Sequence, residues 1–456
     1  MSFAPYFRAR VDGERSLSFE KSYDGKKLSL RKQIAETSSS SIIVNLVPCS
    51  NNLEKLPHEL FFKILANMEM SDLGILAQTS AKLRDGVLSF LKSAEFSSKI
   101  AQLISEAAPS SMHSIYRKVG TVLKQATCLF PTSKRIKVAE EFYAAHGPPD
   151  LVARKAIASC WGELLKSFVN GWDFPESDRI FKAICYFGTR NEINLMISQF
   201  LQSEPGTHTQ SEKELRIFFR AVFLDPHLKP NASGLVVCDA DFGFYLDLIL
   251  RDYSTYHQAK IVYLLFGPER NGEVQWNVMC DEEVNCENVY REMGEALCSL
   301  LNVADDSKRS LSKTQLISLI EEVTSFPDNW TLHNFACLLD HCDEYILTMV
   351  LSSRVINGRL KETCEIYAIL TSITAHQNLP MGRRLRLFTN VINSVKNKAD
   401  QLSLIKELTK TLCRRLGQIM TAAAIPPVVW LDELNAKELF FAEVLRLAVT
   451  RCLKED

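Results

Sequence analysis

The chain has 456 residues, of which 46% are hydrophobic and 23% charged, and its formal net charge is −1. That length fits about two to four domains or one elongated repeat architecture. Near-neutrality excludes a global field that would draw nucleic acid or an anionic membrane. No apolar run approaches the roughly eighteen residues needed to span a bilayer. The thirteen cysteines have no framework spacing, and Arg8, Arg10, Asp12 and Glu14 interrupt any secretory apolar stretch. Reduced thiols and residence in the nucleus, the cytoplasm or both are therefore expected.

Residues 1–52 read as a disordered, basic and serine-rich tail. Arg8, Arg10, Arg15, Lys21, Lys26, Lys27, Arg31 and Lys32 outnumber its acids, and serines crowd Ser38 to Ser41. With so few apolar side chains the segment cannot offset its ordering entropy. Phosphorylation, nuclear import, partner docking and a purely solvating role all remain open for it. The apolar run Ile42–Val47 is the exception and is expected to pack back onto residues 53–92.

Residues 53–92 themselves are read as a three-helix unit. Pro57 suits a helix start, where its missing N–H has no intrahelical partner to lose. Glu59 in the first turn suits the positive end of the helix dipole. Leu60, Phe61, Ile64, Leu65 and Met68 then recur at three- and four-residue spacing as one apolar stripe. Ser71 is expected to cap a second helix carrying Leu73, Leu76 and Ala77. Ser80 is expected to cap a third, with Leu83, Val87, Phe90 and Leu91 inward. Three such helices bury too little surface to be comfortable alone, so they need a partner protein, the rest of the chain, or both.

From Ala94 to Asp456 almost every readable segment is helical, Leu235-Val236-Val237 being the single strand candidate. Ile115, Val119, Val122, Leu123 and Ala126 share one face. Further helices are expected over 136–142, 151–169, 177–187, 192–201, 212–224, 241–250, 256–266 and 284–301. Ser312 and Gln315 form a capping box opening the next, and the last fall over 331–341, 345–355, 360–375, 381–395, 402–422 and 432–453. Most connections are short, which makes neighbours antiparallel. Two longer linkers, 226–239 and 267–283, stand apart. No fixed-period repeat is visible. Many short helices without a sheet nevertheless fit an all-α armadillo- or HEAT-like solenoid of paired helices over residues 93–456.

Candidate chemistry is sparse. His333, Cys337 and His341 lie four apart on one helical face, with Cys342 beside them, but zinc wants four tetrahedral ligands and one straight helix rarely supplies three. Helix-interface packing is the expected role, and Cys280 and Cys286 lack a second pair. Asp241-Phe242-Gly243 copies a kinase tripeptide without the phosphate loop or catalytic loop that would give it meaning, so it reads as a helix start capped by Asp239 or Asp241. No nucleophile signature is present. The cluster Arg383, Arg384 and Arg386 reads either as a groove for an acidic or phosphorylated substrate or as a solvated helix face. Trp172, Trp276, Trp330 and Trp430 are expected between helices. No catalytic residue, metal site or cofactor is expected.

Leu56-Pro57, Glu59-Leu60, Ile64-Leu65, Asp72-Leu73 and Ser80 together resemble an F-box, the module that docks F-box proteins onto the Skp1 adaptor of SCF ubiquitin ligases. One position departs from the family: Leu83 stands where many members place a Trp, so packing there is expected to be weaker or different. The resemblance implies a non-catalytic substrate-recognition subunit. Leu56, Pro57, Leu60, Ile64, Leu65, Leu73, Leu76 and Val87 would meet a Skp1-type adaptor and, through it, the cullin/RING core, while the helical region holds a protein substrate. Neither nucleic acid nor membrane is implied as a direct partner. Leu129-Phe130-Pro131-Thr132, Gly171-Trp172-Asp173, Leu264-Leu265-Phe266-Gly267-Pro268 and Ile356-Asn357-Gly358-Arg359 resemble a narrower group of that family, implicated in germ cells and meiotic prophase. The alternative is a meiotic chromosome or telomere scaffold that assembles no ligase. An apolar face on Leu60 and Ile64 left open by the chain would favour an external partner, and one covered by residues 92–145 would favour the scaffold.

Overall fold

The structure is a computed structural model that describes residues 52–106, 111–147, 155–186, 192–230, 236–281, 283, 286–302, 311–377, 379–421, 435, 438–446 and 450. The tail up to residue 51, with its apolar run Ile42–Val47, lies outside the described residues, as do Trp430 and much of the expected last helix. The chain divides into residues 1–55, described only by the 3-10 turn Asn52–Lys55, and one unit spanning 56–456.

Three helices open that unit: α1 (His58–Asn67), α2 (Met70–Thr79) and α3 (Ala81–Leu91). Pro57 stands at the α1 N-cap with extended backbone. Ser80 caps α3, its Oγ accepting from the Leu83 amide at 3.2 Å. The Ser71 cap does not form. Helix α2 starts two residues earlier than expected, with Glu69 at its cap, and the side chain of Met70 is buried. Leu83, where the chain departs from the family, sits in the core.

The helical stack continues with α4 (Ala94–Glu106), α5 (Met112–Thr127), α6 (Thr132–His146), α7 (Lys155–Val169), α8 (Phe174–Tyr186), α9 (Glu192–Gln202) and α10 (Thr209–Phe218). Helix α10 runs on into a widened π turn, Phe219–Leu224. An antiparallel hairpin of β1 (Leu228–Pro230) and β2 (Val236–Cys238) pairs Lys229 with Val237. Then come α11 (Ala240–Leu250) and α12 (Thr255–Phe266), and a second hairpin of β3 (Glu269–Arg270) and β4 (Glu273–Val274). The rest is α13 (Val278–Asp281), α14 (Glu287–Ser299), α15 (Lys313–Val323), α16 (Leu332–His341), α17 (Glu344–Ile356), α18 (Leu360–His376), α19 (Gly382–Ser394) and α20 (Lys398–Thr421).

Two expectations on these elements are met and two are corrected, the stretch read as a linker over 226–239 holding the first hairpin. Ser312 and Gln315 form the full capping box, and Asp239 caps α11 by accepting from the Phe242 amide. The stretch read as a linker over 267–283 instead holds the second hairpin. Its turn is Asn271-Gly272, both at positive φ (56° and 82°), the conformation that a two-residue hairpin turn demands.

Packing skips one or two intervening elements, so that the helices stack in rows. In one row α14 packs on α16, α16 on α18 and α18 on α20, and in the other α12 packs on α15, α15 on α17 and α17 on α19. The first row continues toward the N-terminus through α11, the π turn, α7 and α5 to α2. Glycines set the tightest approaches in it. A Cβ on Gly120 would lie 2.2 Å from the Leu164 carbonyl oxygen, and one on Gly162 would lie 2.3 Å from that of Ala221 in the π turn. Buried charges tie rungs together in the second half. Arg354 on α17 donates twice to Glu321 on α15 at 2.6 Å and once to Glu362 on α18 at 3.2 Å. This is an all-α solenoid with two short hairpins in its turns.

Candidate functional site

Helix α1 carries two apolar stripes that the sequence shows as one. Phe61 and Leu65, four apart, point inward, Leu65 with no exposed surface at all. Leu60 and Ile64, also four apart but displaced by one position, lie about 100° further round the helix. They are 49% and 39% exposed. Pro57 and Glu59 are also exposed, while Leu56 and Leu76 are half-buried. Of the residues read as adaptor contacts, Leu65, Leu73 and Val87 are therefore core residues of the three-helix unit and not surface ones. The physical reason is that a bundle this small spends most of its large apolar side chains on holding itself together. Ile75, which no sequence pattern singles out, is 58% exposed and lines a groove between α2 and helices α4 and α5, with Met68, Lys99 and Leu103.

The inward stripe is what fixes the open one in place. The Phe61 ring lies over Gly86 of α3, where a Cβ would come within 2.6 Å of it. Phe62 meets Phe90 at 5.4 Å between ring centroids, Phe90 meets Phe96 at 5.5 Å, Phe96 meets Phe142 at 6.1 Å, and Phe142 meets Trp161 at 5.9 Å. Edge-on and tilted pairs of this kind add to plain apolar burial. The chain of rings runs from α1 through α3, α4 and α6 to α7. Polar contacts take the same path. Lys99 on α4 donates to the Ala66 and Met68 carbonyl oxygens at the end of α1, each at 2.6 Å. Those carbonyls are among the ones a helix end leaves unpaired. Burial pulls the Lys99 ammonium below its usual pKa. His146 contacts the Leu91 carbonyl oxygen at 2.6 Å, and on α2 a Cβ at Gly74 would collide with the Gln125 side chain of α5.

The other candidates resolve as structure. His333 and Cys337 touch at 3.5 Å, but Cys342 turns away toward Cys298, so the four do not converge. Arg384 is buried and paired with Asp340 and Thr374, Arg383 is half-buried and Arg386 exposed, so the three arginines do not line one groove. Trp276 and Trp330 are buried between elements, as expected, and Trp172 is half-buried.

Among the described residues, His227, Asp239 and Asp241 are the one group whose ligand atoms lie close enough together to hold a metal. Asp239 is already engaged, however. It takes contacts from His227 Nδ1 at 3.1 Å, Lys229 at 3.3 Å and Lys166 at 3.4 Å, besides capping α11. Two ammonium groups on the carboxylate leave little field for a cation. Burial pushes the Asp239 carboxyl up, but the hydrogen bond and charge of His227, the charge of Lys166 and a hydrogen bond from Lys229 outweigh it and hold the group well below the usual carboxylate range. A depressed carboxyl contributes stability that is full above the ordinary aspartate pKa of about 4 and is lost as the pH falls through its folded value. Asp239→Asn is therefore expected to lower the stability at neutral pH. In denaturant titrations the gap to the unsubstituted chain should narrow steadily below about pH 4.

Comparison with known proteins agrees with the helical-repeat part of this architecture. A family described as "FBXO47, ARM repeats" matches residues 189–426. The curated F-box only protein 47 of Homo sapiens is 23% identical over 375 residues, 78% of each chain. Its Mus musculus counterpart is 23% identical over 377 residues, 80% of each chain. Among solved structures, a circular tandem repeat protein with novel repeat topology and enhanced subunit contact surfaces is 13% identical and covers 87% of each chain. Its TM-score of 0.23 carries no argument. The repeat match spans more than half of the chain, over the stacked helices from α9 to α20: the chain belongs to the FBXO47 ARM-repeat family.

Proposed function

We propose that the chain is the substrate-receptor subunit of an SCF-type ubiquitin ligase, acting in the nucleus, the cytoplasm or both of germ-line cells in meiotic prophase. Leu60 and Ile64, with Pro57 and the half-buried Leu56, dock a Skp1-type adaptor, and through it the cullin/RING core. The helical stack holds the protein substrate, and the chain supplies no catalytic group. One observation carries the reading: α1 leaves two large aliphatic side chains open to solvent on a helix whose other stripe is sealed. Such a face is stable in water at a cost, and a partner that covers it recovers the apolar burial. The names of the relatives support the adaptor-type assignment.

Co-expression of the full chain with a Skp1-type adaptor, followed by size-exclusion chromatography, is expected to give a single equimolar complex, which then binds added cullin/RING core. A folded chain that elutes free of adaptor would overturn the reading. It would leave the second one, a scaffold in which the three helices serve only as the first rung of the stack. The continuous ring contacts from α1 to α7 favour that scaffold, and the uncovered Leu60 and Ile64 oppose it.

A further inference from the structure

Cys298 lies in the last turn of α14 and Cys342 directly succeeds α16, where these two rungs pack. Gly294, one turn before Cys298, brings the helices so close that a Cβ there would sit 3.1 Å from the His341 carbonyl group. The Asp343 amide donates to Cys298 Sγ at 3.2 Å, and the side chains of Cys298 and Cys342 interact with one another. That amide belongs to the residue after Cys342, so the Cys298 sulfur lies beside the Cys342 backbone. Both cysteines line a cavity of 530 Å³ together with Cys238, Asp239 and His341. Cys298 is half-buried there and Cys342 is buried behind it.

The two sulfurs differ in character. The donors from Cys342 and Asp343 outweigh burial and the opposing charges of Asp343 and Glu295, so the Cys298 thiol is more acidic than an ordinary cysteine. Cys342 is held well above the usual range because its proton is shared with Cys298 and because it is buried. Burial likewise pushes up the thiols of Cys160, Cys185, Cys337 and Cys364, which makes them poor nucleophiles.

We propose that Cys298 and Cys342 are a peroxide-responsive pair, with Cys298 the attacking and Cys342 the resolving sulfur, and that their disulfide links two rungs of the solenoid. The Cys298 thiolate attacks one oxygen of hydrogen peroxide. The O–O bond breaks, and the departing hydroxide takes up the proton released by Cys298 and leaves as water. The resulting sulfenic acid is attacked by the Cys342 sulfur. An S–S bond forms, the S–O bond breaks, and the oxygen departs as a second water with the Cys342 proton. The two sulfurs lose two electrons and the peroxide gains them.

The test uses the full reduced chain, treated with low hydrogen peroxide, quenched with N-ethylmaleimide under denaturing conditions and mapped by peptide mass spectrometry. A Cys298–Cys342 linked peptide is expected as the main product, with the exposed Cys128 and Cys413 recovered alkylated. In Cys342→Ser the sulfenic acid should persist on Cys298, where dimedone traps it roughly ten-fold faster than on Cys128. The mapping of the unsubstituted chain stands whether or not that variant folds. Recovery of Cys298 and Cys342 both alkylated while Cys128 or Cys413 is consumed would overturn the proposal.

Discussion

Replacing Leu60 and Ile64 together by aspartate is expected to weaken binding of a Skp1-type adaptor by well over thirty-fold while leaving the thermal midpoint within a degree or two of the parent. Anchors that fill a partner's pocket cost about 2 kcal/mol or more each on truncation, and 2 kcal/mol is roughly a thirty-fold change in affinity. A charge in place of the anchor adds a desolvation penalty in the bound state. Neither side chain holds the fold, since each is well exposed, and exposed substitutions away from caps and glycines rarely move stability by more than about 0.5 kcal/mol. Isothermal titration with purified adaptor and a thermal melt of the free chain measure the two quantities separately. Unchanged affinity in the folded double variant would sink the docking face as drawn.

Leu73→Ala should give the opposite pattern. Its side chain has no exposed surface and sits between α2 and its neighbours. Emptying such a site costs about 2–5 kcal/mol, the lost transfer energy plus that of the cavity left behind. Because α2 is the first rung of the row that continues through α5 and α7, the loss should appear as early unfolding of the N-terminal rungs. Hydrogen exchange would register it as lost protection over α1 to α5 with the C-terminal rungs unchanged. Adaptor binding by this variant should recover when the chain is cooled or stabilised, whereas that of the Leu60/Ile64 variant should not. A Leu73→Ala chain as stable as the parent would show that α2 does not anchor the row.

The difference between these two variants is also where sequence and structure part. Positions 60, 61, 64 and 65 form one apolar stripe on paper, and nothing in hydrophobicity tells a side chain that faces its own core from one that faces a partner. Only the placement of α3 and its Gly86 against Phe61 divides them. The helices themselves are legible, because buried faces recur at helical spacing and Ser80, Asp239 and Ser312 mark starts by their own hydrogen bonds. The second hairpin carries a usable signal in Asn271-Gly272, but Glu269, Arg270, Glu273 and Val274 offer no apolar alternation to support it. The π turn has no local signal. A helix continuous on paper widens where the backbone of α7 presses in at Gly162, which is a tertiary effect. The cysteine pair is invisible for a similar reason: Cys298 and Cys342 are far apart in sequence, and the packing of α14 on α16 brings them together.

The run of rings from Phe62 to Trp161 has a mechanical consequence. It crosses the step from the three-helix unit to the stack without a hinge, so a body gripped at Leu60 would carry the solenoid as a handle carries a blade. Where a bound substrate comes to rest would then be set by the small rotation added at each rung, and not by the swing of a tether. Inserting or removing one helix pair beyond α7 should shift which substrate lysines come within range, and lengthening the loop between α3 and α4 should blur that choice.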